Sequence, residues 1–251
     1  MPIAILSDLH NHDWSTYSKV DPDGVNSRLR ITINETERAA AELRARGGTT
    51  MIIAGDIFHE RGRLDPEVLN PVQDSFRRIL DSGVTVYAIP GNHDLKTKET
   101  TELGSAIQTL SETFTMNGDF VVFNEPRIVA IGDRQFAFVP WFSTNEGLLK
   151  ALEDIKKQAG ADHDKLHVII HAGIDGVVSG PEHGLTAEIL ADFGFRNVFA
   201  GHYHNRKNMG AGIWSIGATT HQSWRDVGMK AGFIMLNDDG TISEFDTAAP
   251  K

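Results

Sequence analysis

The sequence contains no cysteine. Disulfides and thiolate metal ligands are therefore excluded, and any metal chemistry must use oxygen and imidazole donors. No uninterrupted apolar run reaches the roughly 18 residues that a membrane span needs. Positive charge is scarce: 24 Lys and Arg stand against 34 Asp and Glu, a net charge of −10. A chain of that sign gives no general attraction to a phosphate polymer, so such a substrate would have to be held by the local field of a site. The start, Met1-Pro2-Ile3-Ala4, has no basic stretch of a secretory leader, and a cytoplasmic location is expected. Neither an internal repeat nor a low-complexity linker interrupts the chain.

What is present suffices for a sizeable core, with 40% apolar and 23% charged residues over 251 positions. Residues 3–6, 51–54 and 84–89 are short apolar runs of buried-strand type. Between them, Asn26 or Ser27 caps an expected helix to about Arg46, with Leu29, Ile33, Thr36, Ala40 and Leu43 on one face. Pro66 opens a second helix that ends near Gly83. This alternation predicts a parallel sheet covered by helices. Residues 120–123, 127–131 and 135–139 read as antiparallel strands separated by turns. A helix over 145–158, a strand over 167–170, a short helix over 187–193 and a strand over 197–200 follow, and 213–245 reads as hairpin-like. The expectation is one domain over 1–246, two stacked mixed sheets between helices, with a tail at 247–251.

Five motifs repeat one pattern, a strand end followed at once by metal-competent side chains. They are Ser7-Asp8-Leu9-His10, Gly55-Asp56, Gly91-Asn92-His93-Asp94, His171, and Gly201-His202-Tyr203-His204. In an α/β sheet the carboxyl ends of strands converge on one crevice, so residues far apart in sequence can meet. In Asp-x-His and His-x-His, a spacing of two puts both side chains on one side of an extended segment. Each motif alone also has a plain structural reading: a turn, a helix cap or a hydrogen-bonded histidine. Their joint occurrence, each at a strand end, is what those readings leave unexplained. A sulfur-free set of carboxylate, amide and imidazole donors suits Mn, Fe or Zn better than Ca or Mg.

In this order the motifs resemble the calcineurin-like metallophosphoesterase superfamily, from Asp8 to His204. The resemblance implies a four-layer α-β-β-α sandwich and two divalent ions, Mn²⁺ foremost, with Fe, Zn, Ni or Mg as alternatives. It implies one ion on Asp8, His10, Asp56 and His204, and another on Asp56, Asn92, His171 and His202. It further implies that a hydroxide between the ions attacks phosphorus, that His93 faces the substrate as transition-state stabiliser or acid, and that Asp94 orients His93. More narrowly, Gly55-Asp56-Ile57-Phe58-His59, the strand leading into Pro90-Gly91-Asn92-His93-Asp94, and the segment from Gly217 to Trp224 with Lys230–Phe233 resemble SbcD-like nuclease subunits of double-strand-break repair, phage forms included. That resemblance implies DNA as substrate, a role for His59 in exonuclease cleavage, an ATPase subunit as partner, and a homodimer through the helices after the first two motifs. Family members are normally longer, with a DNA-capping domain and an ATPase-docking segment, and neither is expected within these residues. Ala218 also stands where that branch more usually has Ser or Thr.

Two other readings stay open: a nucleotide or cyclic-nucleotide phosphoesterase of the same chemistry, and a non-catalytic scaffold on the same fold. Of the remaining residues, His12 reads as solvent-exposed, and Arg61 and Arg63 as phosphate contacts or loop solvation. Trp141 and Phe142 read as core, Tyr203 as packing beneath the site, and His221 and Trp224 as candidate cleft-lining residues.

Overall fold

Period-two burial builds two sheets that share one core. The computed structural model describes residues 1–97, 104–112, 117–180 and 182–250; Lys251, the end of the expected tail, lies outside them. The first sheet contains β1 (Ile3–Leu6), β2 (Thr50–Ala54), β3 (Thr85–Ile89), β4 (Phe120–Val122), β11 (Gly232–Leu236) and β12 (Ile242–Asp246), in the order β12-β11-β1-β2-β3-β4. The second contains β5 (Arg127–Ile131), β6 (Arg134–Val139), β7 (His167–His171), β8 (Asn197–Gly201), β9 (Lys207–Gly210) and β10 (Ile213–Ser215), in the order β5-β6-β7-β8-β10-β9.

Side chains alternate across each sheet. Ile5, Ile52, Ile89, Phe138, Ile169, Phe199 and Ile234 fill the space between the sheets. Leu6, Met51, Ile53 and Val86 face outward onto helices α1 (Ser27–Ala45) and α2 (Pro66–Asp81). On the opposite face, Val168, Ile170 and Val198 pack against α3 (Asn145–Ala159) and α4 (Ala187–Ala191). Four layers result, helices outside two mixed sheets, as expected from the sequence.

Local chemistry sets the helix starts. The Asn26 side chain accepts from the amides of Arg28 and Leu29 at the start of α1, and Asp65 caps α2 ahead of Pro66. Leu29, Ile33, Thr36, Ala40 and Leu43 are all buried, as their spacing predicted.

The strand pairing corrects two expectations. Residues 120–122 do not join an antiparallel group; β4 lies parallel to β3 at the edge of the first sheet. Of those three segments β5 and β6 do form a hairpin, and β6 then pairs parallel with β7. Within the stretch expected to be hairpin-like, 213–245, β11 and β12 do form an antiparallel pair, but β10 belongs to the other sheet. The strand β10 runs parallel to β8 and antiparallel to β9, whereas β11 returns to the first sheet, antiparallel to both β1 and β12. Local periodicity identifies a strand but not its neighbour, which is chosen by which sheet edge stands free. After β12 the chain is held: the Thr247 hydroxyl and the Ala248 amide both donate to the Glu35 carboxylate.

Candidate metal centre

The parallel strands β1, β2 and β3 end side by side in one sheet, as do β7 and β8 in the other. Their carboxyl ends open on the same edge of the sandwich. His171 at the end of β7 reaches across to the carbonyl of Ala54 at the end of β2, 2.7 Å away. Every motif singled out in the sequence follows one of these five ends.

The turns that follow are tight and strained. Asp8, His10, Asp56 and His202 all have positive φ, at 51°, 46°, 54° and 91°. Non-glycine residues seldom adopt that region, and it costs about 1–3 kcal/mol each unless the surroundings impose it. A Cβ on Gly91 would lie 2.2 Å from Asp56 Oδ1, so only glycine lets this loop approach the carboxylate.

Two groups of mixed carboxylate and imidazole donors result. Asp8, His10 and His204 each offer a ligand atom within 4.8 Å of the others, and so do Asp56, His171 and His202; a third group, of imidazoles alone, joins His10 to His59 and His93. Asp56 links the groups, with Oδ2 3.6 Å from His10 Nε2 and 3.4 Å from His171 Nε2. Asn92 Oδ1 sits 2.9 Å from His202 Nδ1 and 3.3 Å from His171 Nε2. A cavity of about 130 Å³ opens over these groups, lined by His10, Asp56, His59, His93, His202, His204 and Gln222.

This set fits divalent metal. Asp8 Oδ1 is fully buried with no hydrogen-bond partner, a costly condition for a carboxylate unless a cation neutralises it. His171 directs Nδ1 at the Ala54 carbonyl and His204 directs Nδ1 at Asp226 Oδ1, 3.2 Å away. Both rings therefore present Nε2 to the pocket, the tautomer metal ligation requires. His204 Nε2 faces His10 Nε2 at 3.2 Å, two nitrogens that a shared cation would reconcile.

With this geometry, the sequence pattern of the calcineurin-like phosphoesterases matches residues 1–206. The chain belongs to that family. It is 24% identical over 236 residues to exonuclease subunit 1 of Enterobacteria phage T4, covering 93% of this chain and 65% of the relative, so it spans under two thirds of that protein's length. The fold is similar to a dimetal phosphatase from Danio rerio, with a TM-score of 0.60 and 11% identity over 94% of this chain and 91% of that one. It is also similar to GAP50, an anchor in the inner membrane complex of Plasmodium, with a TM-score of 0.59 and 13% identity over 100% of this chain and 90% of that one. The chemistry of that family is phosphate-ester hydrolysis at a dinuclear metal centre, and the Asp, His and Asn donors gathered here fit such a centre.

Electrostatics in this phosphoesterase are organised around one buried pair. Burial opposes charge on both Asp56 and His171. Their mutual attraction nevertheless holds the Asp56 carboxyl well below the usual range and pushes the His171 imidazole up to about 9, aided there by Asp8. Burial, then the neighbouring His171 charge, lowers His202 to about 3. Burial and His93 lower His59 to about 4, so both rings are neutral and available as donors of electron pairs. Burial and the adjacent Asp56 push Asp94 up to about 7.

His93 and His59 share one wall of the cavity, their rings stacked at 5.1 Å. His93 Nδ1 lies 2.5 Å from the carbonyl oxygen of His59. The expected orientation of His93 by Asp94 is therefore corrected. The Asp94 carboxylate accepts from the amides of Phe58, Ile57 and Gly91 at 3.0, 3.4 and 2.9 Å. It ties the Gly55–His59 turn to the Gly91–Asp94 turn, because three converging N–H groups attract a carboxylate more strongly than one ring does.

Other side chains also depart from expectation. His12 is not free in solvent: its ring lies 4.8 Å from Trp14 and 5.1 Å from His59. Arg61 Nε donates to the Asn92 carbonyl at 2.9 Å and so braces a motif loop, whereas Arg63 lines a separate shallow cleft with Glu60 and Asp65. Trp141 and Phe142 are half-buried rather than core, and Trp141 packs 5.2 Å from His202. Tyr203 packs against His202 at 5.3 Å, as expected. His221 turns to the carbonyl of Met229, and Trp224 points to solvent with 77% exposure. The cavity residue from that segment is Gln222. Sequence reasoning missed Gln222 and Asp226. The Ser223-x-x-Asp226 capping box was the available signal, and it reads as an ordinary turn until His204 is placed beside it.

Proposed function

We propose that this phosphoesterase cleaves phosphodiester bonds in DNA, with Mn²⁺ as its preferred ion. The observation that carries the reading is Asp56 between two donor groups beneath a wall formed by His93 and His59. Asp8, His10, Asp56 and His204 would hold one ion; Asp56, Asn92, His171 and His202 would hold the other. When bound, two such ions supply Lewis acidity to the phosphoryl oxygens and activate water near neutral pH.

The chain's own groups do the rest. Asn92 sets its amide oxygen against His202 and His171 while its carbonyl is held by Arg61. His93, with Nδ1 committed to the His59 carbonyl, presents Nε2 to the substrate. There it stabilises the negative charge developing on the phosphoryl oxygens and hands its Nε2 proton to the departing oxygen. His59 packs flat on His93 and adds a second imidazole where the scissile strand would pass.

A DNA substrate is supported by the similarity to a phage exonuclease subunit and by His59, which the SbcD-like resemblance ties to exonuclease cleavage. The word subunit in that relative's name supports a multisubunit setting. An ATPase partner and a homodimer through α1 and α2 belong to the same proposal, as does a cytoplasmic setting; no described helix is long and apolar enough to cross a membrane. The small cavity and the net charge of −10 favour a second reading, hydrolysis of nucleotides or cyclic nucleotides. The non-catalytic reading requires loss of donors, and none is missing here.

The test is a substrate panel with Mn²⁺: labelled single- and double-stranded DNA, a cyclic nucleotide, bis-p-nitrophenyl phosphate and p-nitrophenyl phosphate. The proposal expects cleaved DNA, an active small diester and a poor monoester. Intact DNA beside rapid cyclic-nucleotide turnover would establish the second reading instead.

A further inference from the structure

Among the described residues, five large apolar side chains are strongly exposed, and four come from two short segments. These are Tyr17 and Val20, at 80% and 70%, and Trp224 and Val227, at 77% and 71%. The segments meet, for the Tyr17 and Trp224 rings lie 6.1 Å apart and edge to face. Holding bare rings in water is unfavourable, and Tyr17 also occupies the left-handed region at φ 56°, uncommon for an aromatic residue.

Both segments are anchored to the metal centre. Trp224 stands two residues from Gln222, which lines the cavity, and two from Asp226, which holds His204. Two residues of chain span at most about 7 Å. On the other side, Trp14 packs 4.4 Å from the His59 ring, and the Arg28 guanidinium lies 4.7 Å over Trp14. Arg28 also donates to the carbonyls of Thr16 and Gln222, stitching the two segments together. Its hydrogen bonds go to neutral carbonyls, so no carboxylate cancels its charge among the described contacts.

Exposed aromatic faces next to a cation, beside a phosphoryl site, match the chemistry of a nucleotide: a planar base and a phosphate. We propose that Tyr17 and Trp224 form a stacking platform for an unpaired nucleobase next to the scissile phosphodiester, with Arg28 facing a flanking phosphate. The proposal rests on the nuclease reading and narrows its substrate to single strands or frayed ends. Stacking is sequence-tolerant and needs little charge, which suits a chain of net charge −10 that cannot grip a backbone by general attraction. A protein partner fits less well. Two rings and two valines offer about 500 Å² at most, short of the roughly 800 Å² per side of a stable interface.

The test compares a short oligothymidylate with an abasic oligonucleotide of the same length, which keeps the phosphates and lacks the bases. For the intact protein with Mn²⁺, kcat/KM should favour the base-bearing strand by about tenfold or more. Trp224→Ala and Tyr17→Ala, in separate segments, should each bring that ratio most of the way to one, and Trp224→Phe should restore it. Because each ratio is taken within one protein, a loss of metal or of general activity cancels. A ratio unchanged in both alanine variants would overturn the platform while leaving the nuclease reading standing. Unchanged ratios with a dimer converted to monomer in sedimentation would assign the patch to a second copy. Failure of the wild type to cut either strand while hydrolysing bis-p-nitrophenyl phosphate would sink the nuclease reading, and the platform with it.

Discussion

His93 Nδ1 is held by the backbone carbonyl of His59, not by a carboxylate. The His93 ring is therefore oriented by main chain, which a change to the His59 side chain leaves in place. His93→Ala should retain metal and lose turnover by about a hundredfold or more. His59→Ala keeps the carbonyl, so its loss on the same small diester should be about tenfold smaller. Equal losses in the two variants would show that the rings act as a unit.

Asp94 then has a structural task. Asp94→Ala would strand the buried amides of Phe58, Ile57 and Gly91, at a cost of about 2–4 kcal/mol. The expected result is a lowered midpoint in urea with metal chelated. An unchanged midpoint beside a collapsed turnover would return Asp94 to a direct role on His93.

Asp226 is expected to tune metal affinity through His204. The carboxylate accepts from His204 Nδ1 while its other oxygen accepts from the amides of Gln222 and Ser223. Asp226→Ala should weaken one of two metal-binding steps by about 10–100-fold in calorimetry, with Asp226→Asn intermediate. Two binding steps identical to wild type would remove Asp226 from the centre.

How legible this was in sequence depended on how local each cause is. The donors Asp8, His10, Asp56, Asn92, His171, His202 and His204 are each announced by a strand followed by glycine or a polar turn, and the convergence of parallel strand ends makes their meeting foreseeable. The cap at Asn26 and the opening of α2 at Pro66 were equally local. What escaped was pairwise and distant. The strand β4 joins the first sheet because the edge of β3 is free, which no pattern within 120–122 encodes. Asp226 reaches the donors through His204, 22 residues earlier. His12 reads as solvent-exposed until His59 folds against it.

His167, at the opposite end of β7, supplies a pH test remote from the metals. Burial, reinforced by Arg134 and Arg196, lowers its imidazole to about 4, between the rings of Phe136 and Phe199. The unfolded chain binds this proton near 6.5 and the folded chain only near 4, so stability is complete above pH 6.5 and falls between 6.5 and 4. The contribution is at most about 3 kcal/mol, one pKa unit being about 1.4. In chelator, His167→Phe should lose less stability than wild type over that window. Parallel pH curves would rule out His167 as a source of the acid sensitivity.

The most direct test of the two-ion, diester-cleaving centre is titration of metal-free protein with Mn²⁺ while following cleavage of single-stranded DNA. The account expects activity to rise to a plateau at two equivalents per chain, and Asp56→Asn to lose both binding events together. DNA cleavage that persists in chelator, or a plateau at a single equivalent, would contradict it.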